Sequence, residues 1–424
     1  MKRGLCLVLL CLLCIAISGC GKNRKKDEPN NEPPVADTNS GHVNAEVPSV
    51  QGEGVIFYRG DTYTEKNMLY YEYHERSELL AAFDSESHQT IPYCFNPACE
   101  HRPEKRSLDG TQILEEGCPA YDYTEQSVFI CGDHLYFYKD DCLYQADLKG
   151  ENRKIITRLS KPYTVSMQGN CYYTDEALYV AYKIGYEYTE IETDGGKKEW
   201  RAGAALEKCE AGVLCIPFSG EGERVIFHSN EYYDMQVVNL WRHDGCICFQ
   251  VLGRDCPFSD IQEEAGDDFQ AIMNADRRHS FTEAYDYVIE TGEIRSFAYE
   301  KPSHGGFYFF RDVYGVILDS NKLALYRYSG ERIGETEVPF SGIISDQYLI
   351  GYNMESSKGV MLNQADGSVV KTSPFSWEDF YLEVVVGDSY YGRVGSSRAY
   401  ISAEDYWSGK KEGIVPFSEI RVAE

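Results

Sequence analysis

From Gly54 onward the chain is written in short runs of alternating apolar and polar residues separated by turn residues, the period-two pattern of half-buried β-strands. The clearest unit is 128–158. There VFICG, HLYFYK, CLYQAD and RKIITR read as four successive strands, with Lys149-Gly150-Glu151 turning the chain between the last two. Glycine suits that turn because a tight hairpin needs positive φ, which a Cβ resists. The phrase returns as Ser219-Gly220-Glu221, Thr291-Gly292-Glu293, Ser329-Gly330-Glu331, Asp366-Gly367-Ser368 and Ser408-Gly409-Lys410. From Gly292 the glycines stand 38 (292 to 330), 37 (330 to 367) and 42 (367 to 409) residues apart, and the two longer earlier gaps each contain an insertion. A four-strand unit with a period of about forty residues, stacked radially, makes a β-propeller.

The predicted fold class is therefore all-β, with a β-propeller over 54–424. Its segments are 55–93, where MLYYEYH (68–74) and LLAAFD (79–84) form the middle strands, then 128–158, 165–229, 235–299, 306–340, 342–375 and 379–418. The third is lengthened by a hairpin from Ile184 to Cys209 turning at Asp194-Gly195-Gly196, and the fourth carries a polar insertion, Gly253–Ser280, with room for a helical turn. Seven blades are favoured, and six result if the first or fourth segment is parsed wrongly. The last three segments end on Pro339-Phe340-Ser341, Pro374-Phe375-Ser376 and Pro416-Phe417-Ser418. Proline has no N–H for a central strand and suits the exit from an outermost one.

Residues 94–127 break the rhythm: 34 residues separate the first unit from the second. A connection so long needs structure of its own or a function. It contains Cys94-x4-Cys99-x-His101-x16-Cys118 on turns set by Pro97 and Pro119. These four soft or borderline donors suit a structural, tetrahedral Cys3His site for zinc, which would order a loop poor in apolar residues. Disulfides and free thiols are the alternatives at this spacing.

The N-terminus has a different character. Met1-Lys2-Arg3 is basic, Gly4–Ile17 is uncharged and apolar but short for a bilayer span, and Ile17-Ser18-Gly19-Cys20 follows. That succession resembles a bacterial lipobox, which implies a signal peptide over 1–19 and a lipid carried on the Cys20 thiol. Residues 20–53 then form a tether, with Lys22, Arg24, Lys25 and Lys26 beside the lipid and Pro, Asn, Glu and Ser beyond. Its reach is roughly 30 Å for a flexible chain of that length.

Composition narrows the partners. The 34 Tyr and 19 Phe favour strands, and the formal charge of −27 becomes −29 when Lys2 and Arg3 leave with the signal. Such a surface repels phosphate backbones, so nucleic acid is not an expected partner. Of 15 cysteines, Cys6, Cys11 and Cys14 lie in the signal and Cys20 carries the lipid, which leaves eleven. An odd number cannot all pair. Cys131 and Cys142 sit two strands apart, about 9.6 Å, beyond disulfide reach. Most of the eleven read as small buried hydrophobes.

Catalytic motifs are thin. Gly395-Ser396-Ser397-Arg398-Ala399 only approaches a nucleophile elbow, and His74-Glu75 lacks the second histidine of a zinc hydrolase motif. Trp200, Trp241, Trp377 and Trp407 have the chemistry to stack on sugars, but strands of this kind bury them more often. His134 and His243 lie in strand patterns and read as structural.

The lipobox, the LYxxDxxGxxxxxI phrase of Leu143–Ile156 and the insert ending Cys118-Pro119-Ala120 together resemble uncharacterised TolB-like β-propeller lipoproteins of Gram-positive anaerobes. The resemblance covers nearly all of 54–424. It implies the fold, commonly with six blades, and a location on the extracytoplasmic face of the cell membrane, but no activity. The expectation is a membrane-anchored, non-catalytic module that binds a protein, peptide or glycan. An exported glycan lyase or hydrolase is the alternative.

Overall fold

The computed structural model describes residues 54–55, 62–63, 67–74, 77–96, 98–99, 101–103, 105–106, 113–115, 117–123, 127–193, 197–297, 306–310, 312–319, 322–336, 343–344, 348–353, 357–363 and 368–417. The chain divides into two units, Met1–Ala45 and Glu46–Glu424, and the described residues all belong to the second. The signal peptide, lipid-bearing Cys20 and tether expected from the sequence lie outside them.

Strand β1 (Gly54–Val55) comes first in the chain, and its partner is given below. The first sheet is β2 (Thr62–Tyr63), β3 (Asn67–His74), β4 (Ser77–Asp84) and β5 (Gln89–Pro92). A small ribbon, β6 (Lys105–Arg106) with β7 (Ile113–Glu115), follows within the insert. The second sheet is β8 (Ser127–Cys131), β9 (His134–Lys139), β10 (Cys142–Asp147) and β11 (Lys154–Arg158). The third holds β12 (Thr164–Tyr173), β13 (Ala177–Thr193), β14 (Lys197–Pro217) and β15 (Arg224–Ser229). The fourth is β16 (Tyr233–His243), β17 (Cys246–Arg254), β18 (Ser280–Val288) and β19 (Ile294–Ser296).

The fifth is β20 (Phe307–Phe309), β21 (Val313–Asp319), β22 (Lys322–Arg327) and β23 (Arg332–Thr336). The sixth is β24 (Ile343–Ile344), β25 (Tyr348–Asn353), β26 (Lys358–Asn363) and β27 (Val369–Ser376). The seventh is β28 (Tyr381–Val386), β29 (Ser389–Val394), β30 (Ser397–Ser402) and β31 (Val415–Pro416). All are antiparallel meanders, and each occupies one of the segments marked out by the sequence. The first and fourth segments each carry a sheet.

Alternating residues of each strand face opposite neighbours, so consecutive sheets share apolar clusters. Leu80 and Ala82 pack with Val128 and Phe137 between the first and second sheets, and Phe129 and Leu143 with Leu178 and Leu214 between the second and third. Val213 and Tyr179 meet Val251 and Ile247 between the third and fourth, Cys248 and Ala284 meet Phe307 and Tyr314, and Leu325 meets Leu362. Ile350 and Phe375 meet Leu382 and Tyr390 between the sixth and seventh. The last cluster returns to the start. Met68, Tyr70, Leu79, Ala81 and Phe83 of the first sheet pack with Val384 and Tyr391 of the seventh, and Phe83 stacks on Phe417 at 3.8 Å. This closed cycle of sheets is a β-propeller. Among the described residues no strand of the last sheet enters the first, so the described closing seam consists of side-chain packing.

The recurring turn has a defined construction. The Asp147 and Glu151 backbones bond across the end of β10–β11, the Gly150 N–H donates to the Asp147 carbonyl at 2.8 Å, and the Asp147 carboxylate accepts the Lys149 and Glu151 N–H groups. Arg327, Gly330 and Glu331 repeat the backbone pattern. Gly150, Gly220, Gly292 and Gly330 all have φ between 73° and 88°. Gly409 departs from the expectation: it also has positive φ (75°), but it caps the helix Ala403–Ser408 instead of turning a hairpin. Ser402 and the acidic pair Glu404 and Asp405 start that helix and override the turn phrase. Gly367 and Pro339 lie outside the described residues. Pro374 and Pro416 stand on the outermost strands β27 and β31.

Three further differences arise from long-range pairing and helix capping. Val55 does not open the first sheet, because β1 pairs with Tyr172–Tyr173 of β12 in the third. The insertion in the fourth segment is more than a helical turn: it forms two helices, Phe258–Ala265 and Phe269–His279, the second started by the Asp268 carboxylate accepting the Ala271 N–H at 2.7 Å. The Ile184–Cys209 hairpin is the continuation of β13 and β14, whose turn at 194–196 lies outside the described residues. Arg254 ties the insertion down, its guanidinium 3.2 Å from Asp234 and 3.4 Å from Asp276, with Lys183 2.9 Å from Asp234.

Candidate metal centre

The insert starts two residues past β5. Asn96 shapes its first turn: its side-chain oxygen accepts the Ala98 N–H at 3.0 Å, and its carbonyl accepts the Cys99 N–H at 3.0 Å. His101 then adopts φ of 56°, the left-handed region that non-glycine residues rarely enter, and its N–H donates to Cys99 Sγ at 3.4 Å. The second half joins the first where the Cys118 N–H donates to the Arg102 carbonyl at 2.8 Å. Cys118 stands just before the 3-10 helix Pro119–Tyr123, and its Sγ accepts the Ala120 N–H at 3.4 Å.

These turns gather the four residues singled out in the sequence. One ligand atom from each of Cys94, Cys99, His101 and Cys118 lies within 4.8 Å of the other three, and Cys118 Sγ is 3.5 Å from His101 Nδ1. Cys118 is 2% exposed, and the other three are half-buried. All three thiols are free. The Cys94 thiol is pushed down to about 4, first by the hydrogen bond from the Cys118 thiol, against burial, with further help from His101 and Asn96. Cys118 is pushed up by donating that bond and by burial, and Cys99 is raised chiefly by burial. The cluster thus concentrates three sulfurs and an imidazole around a single point.

The centre straddles the first sheet's outer edge. Cys118 and Ala120 belong to the cluster facing the seventh sheet, with Cys94 and Cys99 packed against it. Tyr93 and Tyr123 belong to the cluster facing the second. There Tyr93 donates to the Leu148 carbonyl, and the Arg153 guanidinium lies 5.0 Å from the Tyr123 ring and 5.4 Å from that of Phe137. The insert is therefore docked on the Asp147–Arg153 turn.

A second grouping escaped the sequence reading because its members come from both ends of the helical insertion. Asp255, Cys256 and His279 also place ligand atoms within 4.8 Å of one another. His279 Nδ1 is 2.8 Å from Asp255 and its Nε2 3.1 Å from Glu264, so both ring nitrogens already serve as ion-pair partners holding the helices together. Elsewhere, His243 stacks on Tyr328 at 3.6 Å and His134 pairs with Asp133 at 2.6 Å. Trp241, Trp377 and Trp407 are half-buried and packed against the intersheet clusters, while the Trp200 side chain lies outside what is described. Cys131 and Cys142 stand on β8 and β10 with β9 between them, both buried and free.

Fold and centre together define a class: a β-propeller with a Cys3His cluster in an insert between its first two sheets. No family model matches the sequence, and no curated protein matches it. Among solved structures, the chain is similar to an oligogalacturonate lyase from Vibrio parahaemolyticus at 10% identity over 81% of this chain and 88% of that one, TM-score 0.46. It is also similar to BamB from Moraxella catarrhalis (9% identity, 83% and 84% covered, TM-score 0.37) and to the Dos1 propeller (8%, 88% and 88%, 0.37). The propeller assignment rests on the sheets and their closing cluster.

Proposed function

We propose that the protein is a lipid-anchored β-propeller on the extracytoplasmic face of the cell membrane, acting as a non-catalytic module that binds a protein, peptide or glycan. The observation that carries the binding role is the arm formed by β13 and β14. Pairing with β12 ends at Lys183 and pairing with β15 at Ala211, yet the two long strands go on pairing with each other out to Thr193 and Lys197. A two-stranded ribbon is marginal in water by itself, and this one is largely exposed where its side chains are described. It presents Tyr186 and Tyr188 in edge contact at 6.1 Å, rigid aromatic surface of the kind that anchors recognition. The anchor and address are supported by the basic start, apolar run and Cys20 of the sequence.

Two experiments test this reading. The chain from residue 54 is applied to arrays of cell-wall glycans, dietary glycans and peptides, with Tyr186→Ala/Tyr188→Ala as comparison. Retention that the double variant loses supports the arm as binding surface; undiminished retention removes it, and cleavage of a retained glycan replaces the module with the exported enzyme. In the full chain, Cys20→Ser is expected to accumulate as unprocessed precursor without labelled fatty acid. Normal processing of that variant contradicts the anchor.

A further inference from the structure

We propose that Cys94, Cys99, His101 and Cys118 bind one zinc ion, and that the ion locks the insert over the outer edge of the first sheet as a clasp beside the propeller's closing seam. Geometry is the first support. Zinc bonds of about 2.3 Å to sulfur and about 2.0–2.1 Å to nitrogen put tetrahedral neighbours about 3.6–3.8 Å apart. The observed 3.5 Å between Cys118 Sγ and His101 Nδ1 matches that edge, and all four ligand atoms fall within 4.8 Å.

The backbone is the second support. The N–H groups of His101 and Ala120, each two residues beyond a cysteine, point at Cys99 Sγ and Cys118 Sγ. Donors aimed at sulfur stabilise thiolates, the form a metal requires. His101 is held at positive φ in the arrangement that places its Nδ1 beside Cys118. Strain at a side chain that completes a four-donor set suggests selection for the set.

Donor chemistry chooses the ion and its role. Three sulfurs and one imidazole favour zinc over the hard oxygen-seeking cations. Four protein donors fill a tetrahedron and leave no position for a substrate, so the ion is structural. Its location explains what it stabilises. The 3-10 helix Pro119–Tyr123 packs over β4, and Ala120 within it, together with Cys118 just before it, belongs to the cluster shared by the first and seventh sheets. Its last residue, Tyr123, contributes to the cluster shared with the second. No strand exchange closes the described ring, so a cross-linked insert spanning these two clusters holds the first sheet in place.

The test uses the full-length chain purified anaerobically. One zinc per chain is expected by elemental analysis, with Cys94, Cys99 and Cys118 resisting alkylation until a strong chelator is added. Chelation should expose 94–127 to protease and lower the melting temperature. Cys99→Ser should weaken zinc binding by at least the roughly tenfold to hundredfold seen when even supporting partners of a metal site are removed. His101→Cys, which restores a fourth donor, should keep the metal and show cobalt–thiolate charge transfer when cobalt replaces zinc. His279→Ala, at the other grouping, should leave the zinc content unchanged. Thiols that alkylate at once in metal-free native protein overturn the proposal. So does alkylation that requires a reductant, which marks a disulfide, and so does zinc lost with His279 instead of Cys99.

Discussion

Truncating Phe83 to alanine probes the closing seam. Phe83 is fully buried on β4, with its ring 3.8 Å from that of Phe417 at an interplanar angle of 11° and 6.0 Å from Tyr400. Removing a buried phenylalanine costs about 3–5 kcal/mol, including the cavity left behind. Cooperative unfolding of about 370 residues at about 2.1 cal/mol/K per residue carries an entropy of about 0.8 kcal/mol/K, so the melting temperature should fall by about 4–6 °C. Differential scanning calorimetry measures the shift, with Phe129→Ala as reference. Phe129 is equally buried between the second and third sheets, 4.7 Å from Tyr173. A closed ring predicts shifts of similar size and a single transition in both variants. A Phe83→Ala shift below about 1 °C, the range of an inconsequential surface change, would refute the seam.

Two other expectations follow from the turns and the helical insertion. A Cβ at Gly150 would meet the Tyr123 hydroxyl and sit at φ of 77°, so Gly150→Ala should cost about 2 kcal/mol or more by chemical denaturation, and about 1 kcal/mol less in a Tyr123→Phe background; strict additivity of the two changes would contradict the contact. His279 is raised above its usual 6.5 by Asp255 and then Glu264, and Glu264 is held below its usual 4.5 by Arg278 and then His279. The histidine's contribution is complete below 6.5 and fades as pH rises through its raised value, whereas Glu264's is complete above 4.5 and fades as pH falls. Protease resistance of 255–280 should therefore be highest between these values and drop at alkaline pH, and His279→Gln should flatten the alkaline limb.

What the sequence disclosed was whatever is encoded locally. Glycines at a regular interval mark turns because only they take φ near 80° at no cost, and Gly150, Gly220, Gly292 and Gly330 do so. The Cys/His set was legible because its spacing stands out in a segment without strand rhythm. The pairing of Gly54–Val55 with β12 was not legible, since a two-residue strand has no periodicity and its partner lies more than a hundred residues away. Gly409 misled because the same φ serves a helix cap, yet Ser402 followed by Glu404 and Asp405 was a signal for that helix. Asp268 before Phe269 was likewise a cap in plain view. The left-handed backbone at His101, by contrast, was not legible, because histidine enters that region more often than most residues yet only occasionally.

A metal-clasped insert that holds the propeller's first sheet in place has a direct signature in X-ray absorption at the zinc edge of the native protein. The prediction is a four-coordinate shell of three sulfurs at about 2.3 Å and one imidazole nitrogen at about 2.0 Å, which loses a sulfur in Cys99→Ser. A shell of oxygen and nitrogen only, or no zinc in anaerobically prepared protein, would contradict it.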